Sequence, residues 1–180
     1  MVATACAVAL VLLLDASGSV SAEDWRLQRE GTADAIASQA VARIVEREGA
    51  VAMTAIAFSD STRPLVPWRV LDNPAALSAF AGELRAAPRG LPGGTAVGRA
   101  LDGAMAALDS APCAAEQEVI DIATDGEADA PATRHARGRA DARGVRINAI
   151  GIGGIAGEDP ADWLRENAVT PGGFALRAAG

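Results

Sequence analysis

The chain has 180 residues, half of them apolar and 22% charged, a composition that suits one folded domain over residues 1–180 and excludes a disordered chain. Its formal net charge is −7, and its sixteen basic residues, all arginine, are spread along the sequence, so no basic face points to a nucleic-acid partner. Aromatic residues make up only 3%, with no tyrosine, which leaves Ala, Val, Leu and Ile to build the core.

The first apolar run, Val2 to Leu14, is shorter than the roughly 20 residues that span a bilayer, so no membrane insertion is expected. It also lacks the basic start and the cleavage site of a signal peptide. It reads as a buried strand over about Ala5–Leu14, which leaves two settings open: a cytosolic protein, or an exported one whose leader has been removed. Ser21, with Asp24 three residues on, resembles a capping box. It opens a helix, or a helix pair, that runs through Arg47 and stops at Gly49. "AVAMTAIAF" (50–58) predicts a second strand and "TRPLVPW" (62–68) a third. Pro64 and Pro67 place the third at an edge, and the tight connection makes the two antiparallel.

Asp72 or Asn73 caps the next helix, with Pro74 in its first turn and Leu77, Phe80, Ala81 and Leu84 as its apolar stripe. After "RGLPGGT" comes a helix with Val97, Leu101, Met105 and Leu108 on one face. "EVIDIAT" (118–124) predicts a fourth strand. Asp129 and Pro131 start a helix that Gly144 ends, and "VRINAIGI" (145–152) is a fifth strand. Asp159 and Pro160 start a short helix, and "GFALR" (173–177) is a sixth strand. Continuous apolar strands alternating with amphipathic helices predict an α/β fold with a mainly parallel sheet covered on both faces. Ligands of such sheets sit beyond the carboxyl ends of the strands.

Three polar pieces fall at that edge. Asp15, Ser17 and Ser19 leave the first strand, Asp125 leaves the fourth, and Thr95 precedes a helix. Two carboxylates and three hydroxyls form a hard, all-oxygen donor set, suited to Mg²⁺ or Mn²⁺ before Ca²⁺, and unsuited to zinc or copper. Such a cation is left short of electron density, and an open position on it would favour an incoming carboxylate. "DASGS" alone reads more simply as a polar turn with helix capping; the five residues together point to a metal. Asp60 and Glu127 lie on neighbouring loops, where each is either a tuning group or a solvated acid. His135, the only histidine, sits in an Arg-rich stretch that reads as a solvated helix face.

DASGS, then GGT, then TDG, in this order of strands and helices, resembles a von Willebrand factor A (integrin I-like) domain. That resemblance implies a metal-ion-dependent adhesion site at Asp15, Ser17, Ser19, Thr95 and Asp125. It also implies a doubly wound six-stranded sheet ordered 3-2-1-4-5-6, with strand three antiparallel at the edge. The implied function is non-enzymatic: binding a protein partner whose Asp or Glu completes the coordination of Mg²⁺ or Mn²⁺. The alternative is a structural or accessory subunit whose metal is merely stabilising. "LQREGTADAI", "VPWRVLD" and "VRINAIGI" further resemble a branch of exported bacterial members. Members of the family normally carry a helix after strand six; past "GFALR" that helix is absent, truncated or supplied by something else, so the shape switch it drives in some of them is not carried over. A partner could pack on the face left open.

Cys6 and Cys113, taken alone, read as two small buried hydrophobes. Under the resemblance strands one and four are neighbours, and both cysteines then fall near the amino-terminal edge of the sheet. A disulfide is expected there if the Cα atoms come close enough. It would close a loop of about 100 residues, worth roughly 4 to 5 kcal/mol in the chain-entropy model. It would also favour an oxidising, periplasmic or extracellular location; free thiols would leave the cytoplasm open.

Enzyme readings fare worse. A haloacid-dehalogenase-like phosphatase would have a second Asp where Ser17 stands, together with a phosphate-binding Lys, and the chain has no Lys. A P-loop fails for the same reason. "GIGGIA" (151–156) matches a dinucleotide-binding turn but follows the fifth strand, with no acidic strand end about 20 residues beyond. His135 has no evident nucleophile to serve.

Overall fold

The computed structural model describes residues 5–90, 93–126, 128–153 and 159–178. In chain order its elements are β1 (Ala5–Asp15), α1 (Ala22–Ile36), α2 (Gln39–Glu48), β2 (Val51–Phe58), β3 (Thr62–Leu71) and α3 (Pro74–Ala86). There follow α4 (Val97–Leu108), β4 (Ala114–Thr124), α5 (Ala130–Ala142), β5 (Arg146–Gly151), α6 (Pro160–Asn167) and β6 (Ala175–Arg177). The six strands form one sheet in the order β3-β2-β1-β4-β5-β6. Only β3 is antiparallel to its neighbour, as the sequence predicts.

The local signals act where they stand. Ser21 caps α1 by accepting from the Asp24 N–H. Ser38 caps α2 in the same way from Val41, so the long helical stretch is a pair. Asn73, not Asp72, caps α3, and its buried residues are Leu77, Phe80, Ala81 and Leu84. Two strands are longer than their sequence signals. β3 continues to Leu71 because register shifts opposite Thr54 and between Ala55 and Ile56 absorb the region of Pro64 and Pro67. β4 begins at Ala114 because Ala114 and Ala115 pair with Ala5 and Cys6; the polar run Glu116–Glu118 hides that pairing from a hydrophobicity reading.

Alternation along the strands sends side chains into two layers. Val11, Leu13, Ile120, Ile122, Ile147 and Ala149 face α4, α5 and α6, and meet Val97, Leu101, Ala136 and Leu164. Leu12, Leu14, Ala55, Ala57 and Ala123 face the other way, against Trp25, Ile36, Leu77, Phe80 and Leu84. That second layer covers the β2-β1-β4 part of the sheet. Among the described residues it leaves the β5–β6 end open, where the paired residues Ile150 and Leu176 are 40% and 56% exposed. A groove of about 590 Å³ runs there between Leu27 and Gly31 of α1 and Ile150 and Ile152. Among the described residues no helix is long and apolar enough to cross a membrane.

Cys6 and Cys113 are joined in a disulfide, with Cα atoms 5.9 Å apart. The bridge ties β1 to the start of β4 and packs with Ala52 and Trp68.

Asp121 on β4 is partly buried and pairs with Asn148 of β5. Burial pushes its carboxyl above the usual carboxylate range, and a hydrogen bond from Asn148 only partly opposes this. The folded state thus holds the Asp121 proton more tightly than the unfolded chain. The stabilising contribution of the neutral form is complete below the ordinary carboxylate pKa, about 4, and is lost as pH rises through the raised value. Asp121→Asn keeps an acceptor for the Asn148 amide without the charge. Its stability advantage over the wild type should therefore grow between pH 4 and pH 7, as read by urea unfolding at both. Parallel unfolding of the two proteins at every pH would contradict this.

Candidate metal centre

Asp15 is the last residue of β1, and one buried side chain fixes its backbone. Gln28 of α1 accepts from the Asp15 N–H at 2.8 Å and donates to the Asp15 carbonyl at 3.1 Å. The Asp15 carboxylate is fully buried. Its Oδ1 accepts from the Ser17 N–H at 2.7 Å, and its Oδ2 accepts from the Thr124 hydroxyl. A carboxylate oxygen has room for about two partners, so each retains a lone-pair direction for a cation.

Ser17 and Ser19 alternate along the loop after β1, with hydroxyl oxygens 3.1 Å apart. The Ser19 hydroxyl donates to Asp125 Oδ1 at 3.0 Å. This cross-link forms because β1 and β4 lie side by side, with Leu14 paired to Ala123. The residues after each strand then meet at the same edge. Asp125 is held above the usual carboxylate range, first by burial, then by the Asp15 and Asp24 charges, while the Ser19 hydrogen bond works the other way. Two carboxylates that repel one another beside neutral hydroxyls form a site where positive charge is favoured.

Thr95 stands two residues before α4, whose N-cap Ala96 has no side-chain cap bond. Its hydroxyl would be 3.9 Å from a Cβ placed on Gly126, which sets it beside the Asp125 loop. The preceding glycines let the Asp60 side chain lie close against the backbone. A Cβ on Gly93 or Gly94 would lie 2.5 or 2.7 Å from an Asp60 carboxylate oxygen. The Gly93 carbonyl accepts from the Gly18 N–H at 2.8 Å, which joins this segment to the serine loop.

All five residues named from the sequence therefore gather at one edge. Asp60 is exposed and lies against Gly93 and Gly94. His135 is exposed on α5. Glu127 lies outside the described residues, as does "GIGGIA" beyond Gly153. The sequence reading did not single out Gln28, Thr124 or Arg89. Gln28 carried the one available signal, a polar residue on the buried side of α1 with Trp25 and Ile36. Among the described residues no three His, Cys, Asp or Glu side chains converge. The gathered side chains offer two carboxylates and three hydroxyls, an all-oxygen set of the kind hard divalent cations prefer.

Solved structures share this architecture. Proximal thread matrix protein 1 from the mussel byssus superposes with a TM-score of 0.69 at 19% identity, over 100% of this chain and 44% of that one. BatB from Bacteroides thetaiotaomicron gives 0.63 at 20% identity, covering 96% of this chain and 91% of that protein. A von Willebrand factor type A protein from Catenulispora acidiphila gives 0.64 at 21%, over 96% of this chain and 38% of that one. At these identities the likeness establishes the fold, that of a von Willebrand factor A-type domain. By sequence, residues 5–179 match the family model described as "Protein of unknown function (DUF1194)", and the chain belongs to that family. No curated protein matches the sequence. The chain spans less than half the length of the mussel protein, one structure of which has a zinc-occupied MIDAS motif.

Proposed function

We propose that this chain is a non-enzymatic, divalent-cation-dependent binding module. Asp15, Ser17, Ser19, Thr95 and Asp125 form its complete metal-ion-dependent adhesion site, with Mg²⁺ or Mn²⁺ as the cation. The observation that carries the reading is the hydrogen-bonded chain from Ser17 through Ser19 to Asp125, beside an Asp15 carboxylate already oriented by Ser17 and Thr124. The bound cation supplies an electron-poor position for a partner's Asp or Glu. Asp15 and Asp125 balance its charge, the hydroxyls orient toward it as neutral donors, and Gln28 keeps the Asp15 backbone in place. The zinc in the mussel protein's site supports a divalent cation at this place in the fold, while the oxygen-only donors here favour Mg²⁺ or Mn²⁺.

The partner is expected to be a protein presenting an acidic side chain, and the module acts in adhesion or assembly. Affinity capture with Mg²⁺, chelator, or the Asp125→Ala variant tests this. A partner held by the wild type in Mg²⁺ should be released by chelator and missed by the variant. Recovery of the same proteins in chelator would defeat the adhesion reading.

A further inference from the structure

We infer that Arg89 is a positioning residue of the metal centre, a clamp that holds the serine loop in its cation-binding form; this rests on the metal-binding reading above. Residues 17–20 make a tight turn, closed by the Val20 N–H donating to the Ser17 carbonyl at 3.3 Å. Ser19, which reaches Asp125, lies inside that turn. One guanidinium nitrogen of Arg89 donates to the Ser17 carbonyl and also to the Val20 carbonyl. It therefore grips both ends of the turn that carries Ser19, from a position 69 and 72 residues away in sequence.

The segment that carries Arg89 is itself anchored. Arg29 of α1 donates to the Ala87 carbonyl at 2.9 Å, and the Gly93 carbonyl accepts from Gly18 at 2.8 Å. The same segment then delivers Thr95. The serine loop is thus tied to Arg89 and to Gly93, two residues before Thr95, and through Ser19 to Asp125. Among the described residues the Arg89 Nε is buried without a partner, and the guanidinium's hydrogen bonds are those to the turn. A planar guanidinium presents several donors at fixed angles, whereas the lysine ammonium is a point charge on a flexible stem. Lysine at this position should hold the turn less firmly.

Mn²⁺ titration followed by electron paramagnetic resonance, with metal-free thermal unfolding alongside, tests this in the wild type, Arg89→Gln and Arg89→Lys. Groups that orient metal ligands typically account for about 10- to 100-fold in affinity. Arg89→Gln should raise the Mn²⁺ Kd by about tenfold or more, Arg89→Lys should raise it less, and both should unfold cooperatively without metal. Folded variants with the wild-type Kd would overturn the role of Arg89 and leave the metal reading standing. Failure of the wild type to bind Mn²⁺ would overturn both. If Arg89→Gln does not fold, Arg89→Lys decides; if neither folds, Arg89 serves the fold and the inference is wrong.

Discussion

Asp15→Asn should abolish divalent-cation binding while leaving the metal-free protein as stable as the wild type or more so. The amide oxygen introduced by the substitution can still accept from the Ser17 N–H. The Thr124 hydroxyl, which donates to Asp15 Oδ2, can rotate to accept from the new amide. The Thr124 hydroxyl hydrogen then gives up its acceptor, a cost set against the relief of charge. The substitution also removes a fully buried negative charge that repels Asp125. Affinity should nevertheless fall by more than the roughly 10- to 100-fold that loss of an outer partner costs, because half of the site's negative charge is gone. Opposite movements of metal affinity and metal-free stability separate a binding site from a structural carboxylate. Titration calorimetry with Mg²⁺ and thermal unfolding in chelator would read the two. A variant that binds as the wild type does, or that is destabilised without metal, would contradict the assignment.

The second large effect lies at the other edge of the sheet. The disulfide closes 107 residues of sequence separation, and the chain-entropy model assigns about 4.7 kcal/mol to a loop near that size. For a chain of this length that corresponds to a fall in Tm of roughly 10 to 20 °C when the bridge is removed. Cys6→Ser with Cys113→Ser, or reductant, should lower Tm within that range. Mg²⁺ affinity should stay unchanged, because the metal loops leave the opposite ends of the same strands. An unchanged Tm after verified reduction would show that the native sheet, rather than the unfolded loop, sets the stability there.

The metal loop was legible in the sequence because its chemistry repeats within five residues, from Asp15 to Ser19, and because Thr95 and Asp125 follow a helix start and a strand end. The α3 stripe was legible for a similar local reason: Leu77, Phe80, Ala81 and Leu84 follow the helical period. What stayed hidden depends on distant contacts. Gln28 acts on Asp15 across 13 residues, Thr124 across 109, and Arg89 on Ser17 across 72. No local pattern distinguishes Thr124 or Arg89 from an ordinary strand or loop residue, and Gln28 shows only its place on the buried side of α1. The start of β4 was masked by the charged and polar run Glu116–Glu118, whose pairing with β1 becomes visible only once the strands are side by side. The cysteine pairing needed that neighbourhood as well, and became an expectation only through the family resemblance.

Binding of Mn²⁺ to the wild-type chain at neutral pH tests the central claim most directly. Electron paramagnetic resonance should show one saturable Mn²⁺ per chain, released by chelator. A Mn²⁺ signal that stays that of the free ion with the folded protein in excess would contradict it.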